Sequence, residues 1–422
     1  MKRIKVSHLS YSDQGGGAPE AAVSIYLSLK KFTKIKNLFF VSKKKTFFSY
    51  SIRNQLFLLF REKVANFIKL FFYSKKMSSS SSLLNSGWAN LFNKSNSDII
   101  HMYWINRETI SIEEIGKIKK PIVWTLCDMW AFCGGENISD NKRFIEGYKK
   151  TNKPKDEKGF DFNRWMWIRK KKNWNKNINL VAPSKWIYDC IKKSSLMNNF
   201  NVKIIPFPID TGFWKSKKKK LVRRNLSLPI NKKLILIILS YAEYNWKGGD
   251  LFLKSLKILR NNLNNSGFEI ILVGSPSDKF RKDLNELDYK IYDLGYVNNK
   301  LKMVDIYNAA DLLVVPSRND CLPLVSIEGI SCGLPIVSFD VCGLRDTNMH
   351  MVNGWSAKAF NVYDLAKGIN FILKNNSLRK KMSINSRKLA KKIFDNKKVA
   401  LQYLNFYKEI LSLKKFNSFN YN

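Results

Sequence analysis

Short apolar runs recur along the chain and alternate with segments whose apolar residues follow a helical period. The runs are Ile4–Leu9, Leu38–Val41, Ile99–Trp104, Ile122–Leu126, Leu234–Leu239, Ile270–Val273, Leu312–Val315 and Ile336–Phe339. Continuous Val/Ile/Leu runs are typical of parallel strands that are covered on both faces. Intervening segments such as Gly249–Leu259 favour helices. The alternation predicts an α/β protein with doubly wound parallel sheets.

The strand–helix series occurs twice. The first series ends near Pro206–Pro208, and a new strong strand begins at Leu234. We therefore predict one domain over residues 1–208, a linker over 209–232 and a second domain over 233–395. The basic run Lys217–Lys220 fits a solvated linker better than a phosphate site.

The final segment has a helical apolar stripe. Val399, Tyr403, Phe406 and Ile410 recur on one face, which predicts a terminal helix over residues 396–413.

The charge of the chain is strongly positive. Among 422 residues, 74 Lys and Arg stand against 33 Asp and Glu, a formal net charge of +41 that is spread through both halves of the chain. One interpretation is attraction to a polyanion, either an anionic membrane or nucleic acid. The other is a general bias toward Lys, Asn and Ile, and the composition leaves both open.

Cysteine and histidine usage argues against a zinc site or a disulfide scaffold. None of the six cysteines form a Cys-x-x-Cys pair, and the chain has three histidines. A reducing cytosol fits this usage. The start, MKRIKVSHLS, lacks an apolar signal core, and no run of about 18 uncharged apolar residues predicts a membrane span. We therefore expect a cytoplasmic protein.

Residues 51–76 form a separate basic and aromatic segment. Its apolar residues recur at helical spacing and Arg and Lys residues punctuate them. Such a segment predicts either a helix lying in the plane of a membrane or a surface helix of the first domain that packs its stripe on the sheet.

Three loops carry residue types suited to chemistry. A glycine turn, Gly15–Gly17, lies between the first strand and a helix, where backbone amides can bind phosphate. Trp246–Gly249 opens a helix and places a lysine where it suits a diphosphate. The segment 316–328 follows a strand with a loop carboxylate, Asp320, and a helix carboxylate, Glu328. Open α/β sheets bind ligands at this end of their strands.

Eight segments occur in a characteristic order over essentially the whole chain. They are GGGAPEAA near the start, DIIHMYWIN at 98–106, PIVWTLCDMWAFCGG at 121–135, LVAPSKW at 180–186, IIPFPIDTGFW at 204–214, WKGG at 246–249, LGYV at 294–297 and PSRNDCLPLVSIEGISCGLPIVSFDVCG at 316–343. Together they resemble the family 4 retaining glycosyltransferases of the GT-B fold, in particular the branch for colanic-acid and other polysaccharide assembly. The resemblance implies two Rossmann-like domains facing across a cleft, and a C-terminal helix that crosses back to the first.

The resemblance implies a donor site in the second domain. Glu328 matches a ribose-hydroxyl clamp, and Asp320 matches a position near the transferred sugar, where the family has the longer glutamate. Lys247 matches the lysine that neutralises the leaving diphosphate. Leu324 and Val325 match backbone donors to the sugar diphosphate.

Further donor contacts are implied at the edges of the site. Gly16 and Gly17 match the first-domain loop that closes over the phosphates. Tyr296 and Val297 match the backbone edge that meets the nucleotide base.

On the acceptor side, the resemblance assigns His101 and Asp128 to the polar lining of the cleft. Cys127 stands there in place of the family's histidine. Tyr241 and Ala242 fill the region where the family commonly has an arginine before the lysine. The implied catalytic set is Asp320, Lys247 and Asp128.

The implied activity is transfer of a hexose-type sugar, with retention, from a UDP- or GDP-sugar to a lipid-linked or glycan acceptor. The pathway would be assembly of a surface polysaccharide such as lipopolysaccharide. We expect no metal or other cofactor, a peripheral position at the inner face of the plasma membrane on an anionic surface, and no specific nucleic acid. The alternatives are a degenerate noncatalytic sugar-binding homologue, a nucleotide-sugar hydrolase or epimerase on the same fold, and a basic nucleic-acid-binding protein.

Overall fold

The computed structural model describes residues 3–46, 49–51, 55–72, 80–157, 159–174, 177–240, 245–262 and 267–419. The chain divides into two compact units. Unit 1 comprises Met1–Pro208 and Lys397–Asn422, and unit 2 comprises Ile209–Asn396.

The described part of unit 1 builds one six-stranded parallel sheet with helices between its strands. Its strands are β1 Lys5–Ser12, β2 Lys36–Lys43, β3 Ile99–Met102, β4 Ile122–Thr125, β5 Ile178–Ala182 and β6 Val202–Ile204. Its helices are α1 Gly17–Phe32, α2 Gln55–Phe72, α3 Trp88–Lys94, α4 Ile112–Gly116, α5 Arg143–Glu146, α6 Phe162–Asn173, α7 Lys185–Lys193 and, from the end of the chain, α15 Asn396–Phe419. The strand order is β2-β1-β3-β4-β5-β6.

The described part of unit 2 builds a second six-stranded parallel sheet. Its strands are β7 Lys233–Ser240, β8 Phe268–Ser275, β9 Ile291–Asp293, β10 Leu312–Val315, β11 Ile336–Phe339 and β12 Gly354–Ala357. Its helices are α8 Lys219–Asn225, α9 Gly249–Asn262, α10 Asp278–Asn285, α11 Lys300–Ala309, α12 Leu324–Ser331, α13 Val362–Lys374 and α14 Asn376–Leu389. The order β12-β11-β10-β7-β8-β9 is that of a doubly wound nucleotide-binding sheet.

The predicted α/β architecture is confirmed, and each of the eight apolar runs overlaps a strand. Strands β3, β4, β10 and β11 are buried along their whole length, as continuous apolar runs require. Four strands have no predicted counterpart, namely β5, β6, β9 and β12. Of these, β6 and β9 are short and partly exposed, and β12 is half-buried in its middle, so their sequences lack a continuous apolar run. Strand β5 is largely buried, but Asn179 interrupts its apolar residues.

Residues 209–232, expected to form a linker, belong to unit 2 and include α8. Two lysines of the basic run Lys217–Lys220 form ion pairs with aspartates of unit 2. Lys217 Nζ lies 2.5 Å from Asp305, and Lys219 Nζ lies 2.6 Å from Asp311. Buried Arg223 approaches the same Asp311 at 2.7 Å. These lysines therefore fasten α8 to unit 2, which differs from the expected solvated run.

Helix α2 occupies residues 55–72 of the basic aromatic segment, and residues 52–54 and 73–79 lie outside the described residues. One face is anchored: Leu58 and Ala65 are buried, and buried Arg61 donates to the Leu84 carbonyl. The opposite face leaves Phe60 60% and Phe67 61% exposed. Among the described residues, no helix combines the length and apolar character needed to cross a bilayer.

Helix α15 packs on unit 1 through tyrosines. The Tyr407 hydroxyl lies 2.6 Å from His101 Nδ1, and the Tyr403 hydroxyl lies 3.1 Å from the Thr125 hydroxyl. Both tyrosines are fully buried. Helix α15 therefore completes the core of unit 1, whose other described elements all lie before residue 209.

Candidate active site

The strand order of unit 2 reverses between β7 and β10, which are hydrogen-bonded neighbours. One run of strands leads from β7 through β8 to β9, and the other leads from β10 to β12. At such a switch point the following loops separate and leave a crevice beyond the carboxyl ends of the strands. The Trp246–Gly249 turn and the 316–323 loop both lie at this point.

The turn and the loop are held together by named contacts. The Arg318 amide donates to the Trp246 carbonyl at 2.7 Å, and the Arg318 guanidinium forms two 2.7 Å bonds to Asp250 at the start of α9. Gly248 has a φ of +66°, and a Cβ there would lie 1.9 Å from the Pro316 carbonyl oxygen. Only glycine lets the two segments approach this closely.

The two segments bring Lys247 and Asp320 into an ion pair. Lys247 Nζ lies 2.6 Å from Asp320 Oδ2, although the residues are 73 positions apart. The lysine side chain is 44% exposed and the aspartate 17%. The ammonium is therefore both oriented by a carboxylate and open to a ligand.

The backbone beyond Asp320 is fixed from behind. The Gly343 amide donates to the Asp320 carbonyl at 2.9 Å, and a Cβ on Gly343 would lie 1.9 Å from the Cys321 carbonyl oxygen. The neighbouring Cys342 holds a φ of +48°. This close packing determines where the Asp320 side chain starts.

Helix α12 begins directly after this loop and has no side-chain cap. The amides of Ser326 and Ile327 both donate back to the Pro323 carbonyl, whereas Leu324 and Val325 are the first two helical residues. Amides at these positions have no carbonyl within their own helix and point toward an approaching anion.

Glu328 lies one turn further along α12. Its carboxylate accepts a 2.8 Å hydrogen bond from Tyr307, whose ring is fully buried. Burial and the Glu328 charge raise the pKa of that tyrosine well above its ordinary value. Tyr307 therefore stays protonated and positions the carboxylate.

Tyr296 and Val297 lie in the loop after β9. The Gly295 carbonyl accepts from the Gly274 amide at 2.8 Å, which ties this loop to the end of β8. Tyr296 is exposed and Val297 is half-buried.

Tyr241 and Ala242, which occupy the region where the resembled family commonly has an arginine, lie outside the described residues.

In unit 1 the strand order reverses between β1 and β3, and the glycine turn lies at that switch point. Gly15 and Gly16 have φ values of +90° and +108°, and Gly17 begins α1. The turn is exposed.

Buried Asp13, just before the glycine turn, accepts hydrogen bonds from the Thr46 hydroxyl and amide and from the Ser49 hydroxyl. These contacts fix the segment beside the turn.

Asp128 follows β4 and accepts three hydrogen bonds. The donors are Trp104 Nε1 at 2.8 Å, Asn106 Nδ2 at 2.9 Å and the Trp130 amide at 3.0 Å. Burial nevertheless raises the pKa of Asp128 to about 6. Burial also raises the pKa of the adjacent Cys127 thiol, which keeps that side chain neutral.

His101 differs from its implied place in the lining of a cleft. It is fully buried, with Nδ1 bonded to Tyr407 and Nε2 lying 2.8 Å from the Thr125 hydroxyl. Burial lowers its pKa well below the ordinary value, so the ring is neutral. Its role in this structure is to join β3, β4 and α15.

Lys170 was not indicated by the sequence. Its fully buried ammonium donates to the carbonyls of Trp130, Cys133 at 3.1 Å and Gly134 at 2.6 Å, and lies 3.8 Å from the centre of the Trp130 ring. Burial lowers the pKa of Lys170 to about 7. The lysine thereby fixes the loop that follows Asp128.

Over the described part of the chain, no group of three or more His, Cys, Asp or Glu side chains is arranged to hold a metal ion.

Comparison with known proteins identifies a family match within unit 2 and curated relatives of part of the chain. Residues 221–389 match the family model "Glycosyl transferases group 1". An N,N'-diacetylbacillosaminyl-diphospho-undecaprenol alpha-1,3-N-acetylgalactosaminyltransferase of Campylobacter jejuni is 28% identical over 209 residues, which cover 49% of this chain and 51% of that protein. An uncharacterized glycosyltransferase of Haemophilus influenzae is 27% identical over 41% of this chain and 52% of its own length. The chain thus spans about half the length of these relatives.

Solved structures share the fold of the whole chain. Anabaena Alr3699/HepE in complex with UDP and glucose matches with a TM-score of 0.67 and 16% identity, covering 96% of this chain and all of that one. WaaG, a glycosyltransferase of lipopolysaccharide biosynthesis, matches with a TM-score of 0.64 and 14% identity over 94% of this chain and 98% of its own. At these identities the likeness concerns the fold.

Proposed function

We propose that this chain transfers a hexose-type sugar from a nucleotide sugar to a hydroxyl of a lipid-linked or oligosaccharide acceptor. Two findings support this: residues 221–389 match the group 1 glycosyl transferases, and the chain shares the GT-B fold of solved glycosyltransferases. The observation that carries the proposal is the Lys247–Asp320 pair at the switch point of unit 2. This ion pair holds the partly exposed Lys247 ammonium against the loop that leads into α12, a helix whose first turn has no side-chain cap.

Leaving-group stabilisation is the chemistry that this arrangement supports. The departing nucleoside diphosphate gains negative charge as the glycosidic bond breaks. Lys247 and the amides of Leu324 and Val325 are suited to receive that charge because they are fixed before the reaction begins. The donor is a UDP- or GDP-sugar, and the UDP bound by HepE favours testing uridine donors first.

The two carboxylates have separate roles in the proposal. Glu328, oriented by Tyr307, accepts hydrogen bonds from the ribose hydroxyls. Asp320 orients Lys247 and approaches the transferred sugar. Retention, which rests on the family resemblance, means attack from the face of the leaving group, with the departing phosphate accepting the proton of the acceptor hydroxyl.

Release of nucleoside diphosphate from a panel of UDP- and GDP-sugars tests the donor site. We would compare the wild type with Lys247→Ala and Glu328→Ala, with and without a short lipid-linked glycan. Lys247→Ala should lower kcat at least about a hundredfold, because it removes preorganised charge from the leaving group. Exposed Lys254→Ala on α9 is the matched control and should behave as the wild type.

Two results would count against this proposal. Unchanged turnover in Lys247→Ala would remove the lysine from the chemistry. No release from any donor, with no thermal shift by UDP or GDP, would favour a noncatalytic sugar-binding homologue.

We further propose that the enzyme acts in surface-polysaccharide assembly at an anionic membrane surface, where a lipid-linked acceptor would reside. The support is the exposed Phe60 and Phe67 of α2 together with the net charge of +41. A helix that buries aromatic residues at the lipid headgroups and carries basic residues binds anionic membranes in plane.

Flotation with anionic and with neutral vesicles tests this second part. The wild type should float with anionic vesicles, and a Phe60→Ser, Phe67→Ser variant should float several-fold less, since apolar burial is lost. Phe57→Ser, which alters a less exposed residue of the same helix, is the control. Absence of wild-type flotation would end the membrane proposal without affecting the donor site.

A further inference from the structure

Unit 1 exposes an arginine at the switch point of its sheet. Arg107 follows β3, and its guanidinium lies 5.5 Å from the centre of the Tyr11 ring and 5.9 Å from that of Trp104. Tyr11 belongs to β1, and its amide donates to the Trp104 carbonyl at 2.9 Å. The guanidinium also hydrogen-bonds with the Tyr11 hydroxyl, but within the described part of the chain no carboxylate forms an ion pair with Arg107. Its charge is therefore available at the place where open α/β sheets bind ligands.

The backbone that presents Arg107 is strained. Arg107 and Glu108 have consecutive φ values of +53° and +56°, which side-chain-bearing residues rarely adopt. The strain is held by Glu108, whose buried carboxylate accepts from the Ser81 hydroxyl at 2.7 Å and the Leu83 amide at 2.7 Å. The Arg107 amide also donates to the Ser80 hydroxyl at 3.0 Å. Strain maintained by so many contacts is characteristic of functional sites.

The same turn holds Asp128. Trp104 and Asn106, on the two sides of Ile105, both donate to its carboxylate. A guanidinium and a carboxylate are therefore fixed by one short segment. A carboxylate suits sugar hydroxyls, whereas a guanidinium matches the oxygens of a phosphate and, when stacked on aromatic rings, loses little freedom on binding.

We propose that Arg107 binds a phosphate group of the acceptor, so that unit 1 recognises a phosphate- or diphosphate-linked glycan while Asp128 orients its sugar. This inference rests on the proposed function and specifies its acceptor class. Helix α2 contacts the same place, because the Tyr11 hydroxyl donates to Glu62 at 2.9 Å. A lipid that follows the phosphate would then be directed toward the helix with exposed Phe60 and Phe67.

Binding of farnesyl diphosphate and of farnesol, followed by tryptophan fluorescence, tests the site without requiring transfer. Arg107→Ala should weaken the farnesyl diphosphate Kd about tenfold, as expected for loss of a charge-assisted contact at an exposed site. Arg107→Lys should lie between wild type and Arg107→Ala, because lysine keeps the charge but loses the planar fork. Exposed Arg224→Ala is the control and should match the wild type, and farnesol binding should not change in any variant.

A calorimetric arm separates acceptor phosphate from donor phosphate. UDP affinity should be equal in wild type and Arg107→Ala. A loss of UDP affinity with unchanged farnesyl diphosphate binding would assign Arg107 to the donor and overturn the inference, as would equal farnesyl diphosphate binding in Arg107→Ala and wild type. Far-ultraviolet circular dichroism checks that each variant is folded. If Arg107→Ala does not fold, Arg107→Gln takes its place in both measurements.

The outcome is independent of the donor-site test. Loss of farnesyl diphosphate binding in Arg107→Ala, in a protein that transfers no sugar, would support the phosphate site and reject the proposed function. If an Arg107→Ala variant transfers sugar with the wild-type KM for a diphosphate-linked acceptor, the proposed function would be supported and the phosphate site rejected.

Discussion

At the scale of single residues, burial dominates the chemistry of the Asp128 carboxylate. Three donors favour its ionised form, yet the pKa rises to about 6, because desolvation outweighs them. Near neutral pH most molecules carry the charge, and below about pH 6 most carry the proton. A carboxylate that orients a sugar through accepted hydrogen bonds loses part of this capacity when it is protonated.

The pH dependence of acceptor use should therefore report on Asp128. In the wild type, kcat/KM for the acceptor should fall as the pH decreases through about 6. Asp128→Asn should show a lower value, by about tenfold at neutral pH, and no such limb, because the amide does not titrate. The measurement is a kcat/KM profile between about pH 5 and about pH 8. An identical acidic limb in both proteins would assign the ionisation to another group.

Sequence patterns indicate candidate residues that lie close together along the chain, whereas contacts with distant partners were not predicted. The segment containing Asp320 and Glu328 is recognisable because both carboxylates lie in one loop and its following helix. The partner of His101 is Tyr407, 306 positions away, so a polar residue at a strand end could not be identified as buried. Lys170 stands beside Lys171 and Lys172, and only tertiary structure buries one of them.

At the scale of elements, two glycine turns meet different steric surroundings. Gly248 faces the end of β10, where a Cβ would lie 1.9 Å from the Pro316 carbonyl oxygen. Gly17 has no atom within 4 Å of an added Cβ, although it opens α1. Gly248 is therefore required by packing within unit 2. Gly17 instead borders open space that a ligand could occupy.

Alanine substitutions should distinguish these two causes. Gly248→Ala should lower the free energy of unfolding by about 2 kcal/mol or more, because the Lys247 turn must move away from β10. Gly17→Ala should leave the free energy of unfolding unchanged or raise it slightly, yet lower kcat/KM for the donor if phosphate approaches the turn. Urea unfolding and donor kinetics measure the two effects. Wild-type kinetics in Gly17→Ala would exclude a close approach of phosphate.

A strand or helix could be predicted from the sequence where its own hydrophobic pattern determines it. The buried strands β3, β4, β10 and β11 coincide with apolar runs because parallel strands are covered on both faces. Helix α8 was not predicted, since its basic sequence looks solvated until Asp311, nearly a hundred residues away, pairs with Lys219 and Arg223. For α2 the spacing predicted the helix, and the structure shows one anchored and one exposed face.

At the scale of the whole molecule, the net charge of +41 acts on every anion near the surface. Many basic side chains nevertheless serve internal contacts, as Arg223, Arg318 and Lys170 do. The remaining charge attracts polyanions without selecting among them, and such attraction is released by salt.

Retention of duplex DNA on nitrocellulose should therefore be salt-sensitive. At about 50 mM salt the protein should retain DNA weakly, and by about 200 mM retention should fall at least about a hundredfold, because counterion release supplies the affinity. The Phe60→Ser, Phe67→Ser variant should behave like the wild type, since its charge is unchanged. Sequence-selective retention that persists at the higher salt would favour a nucleic-acid-binding function.

The return of the chain end to unit 1 has a consequence for biosynthesis. Residues 1–208 leave the ribosome before residues 209–396, but their core lacks Tyr403 and Tyr407 until both of these stretches have been made. Until then, His101 and Thr125 lack two of their core partners, a costly state in an apolar interior. Unit 2 is one continuous stretch, so it has all its residues before unit 1 does. We therefore expect the usual vectorial order of folding to be reversed, with the first-made unit maturing last.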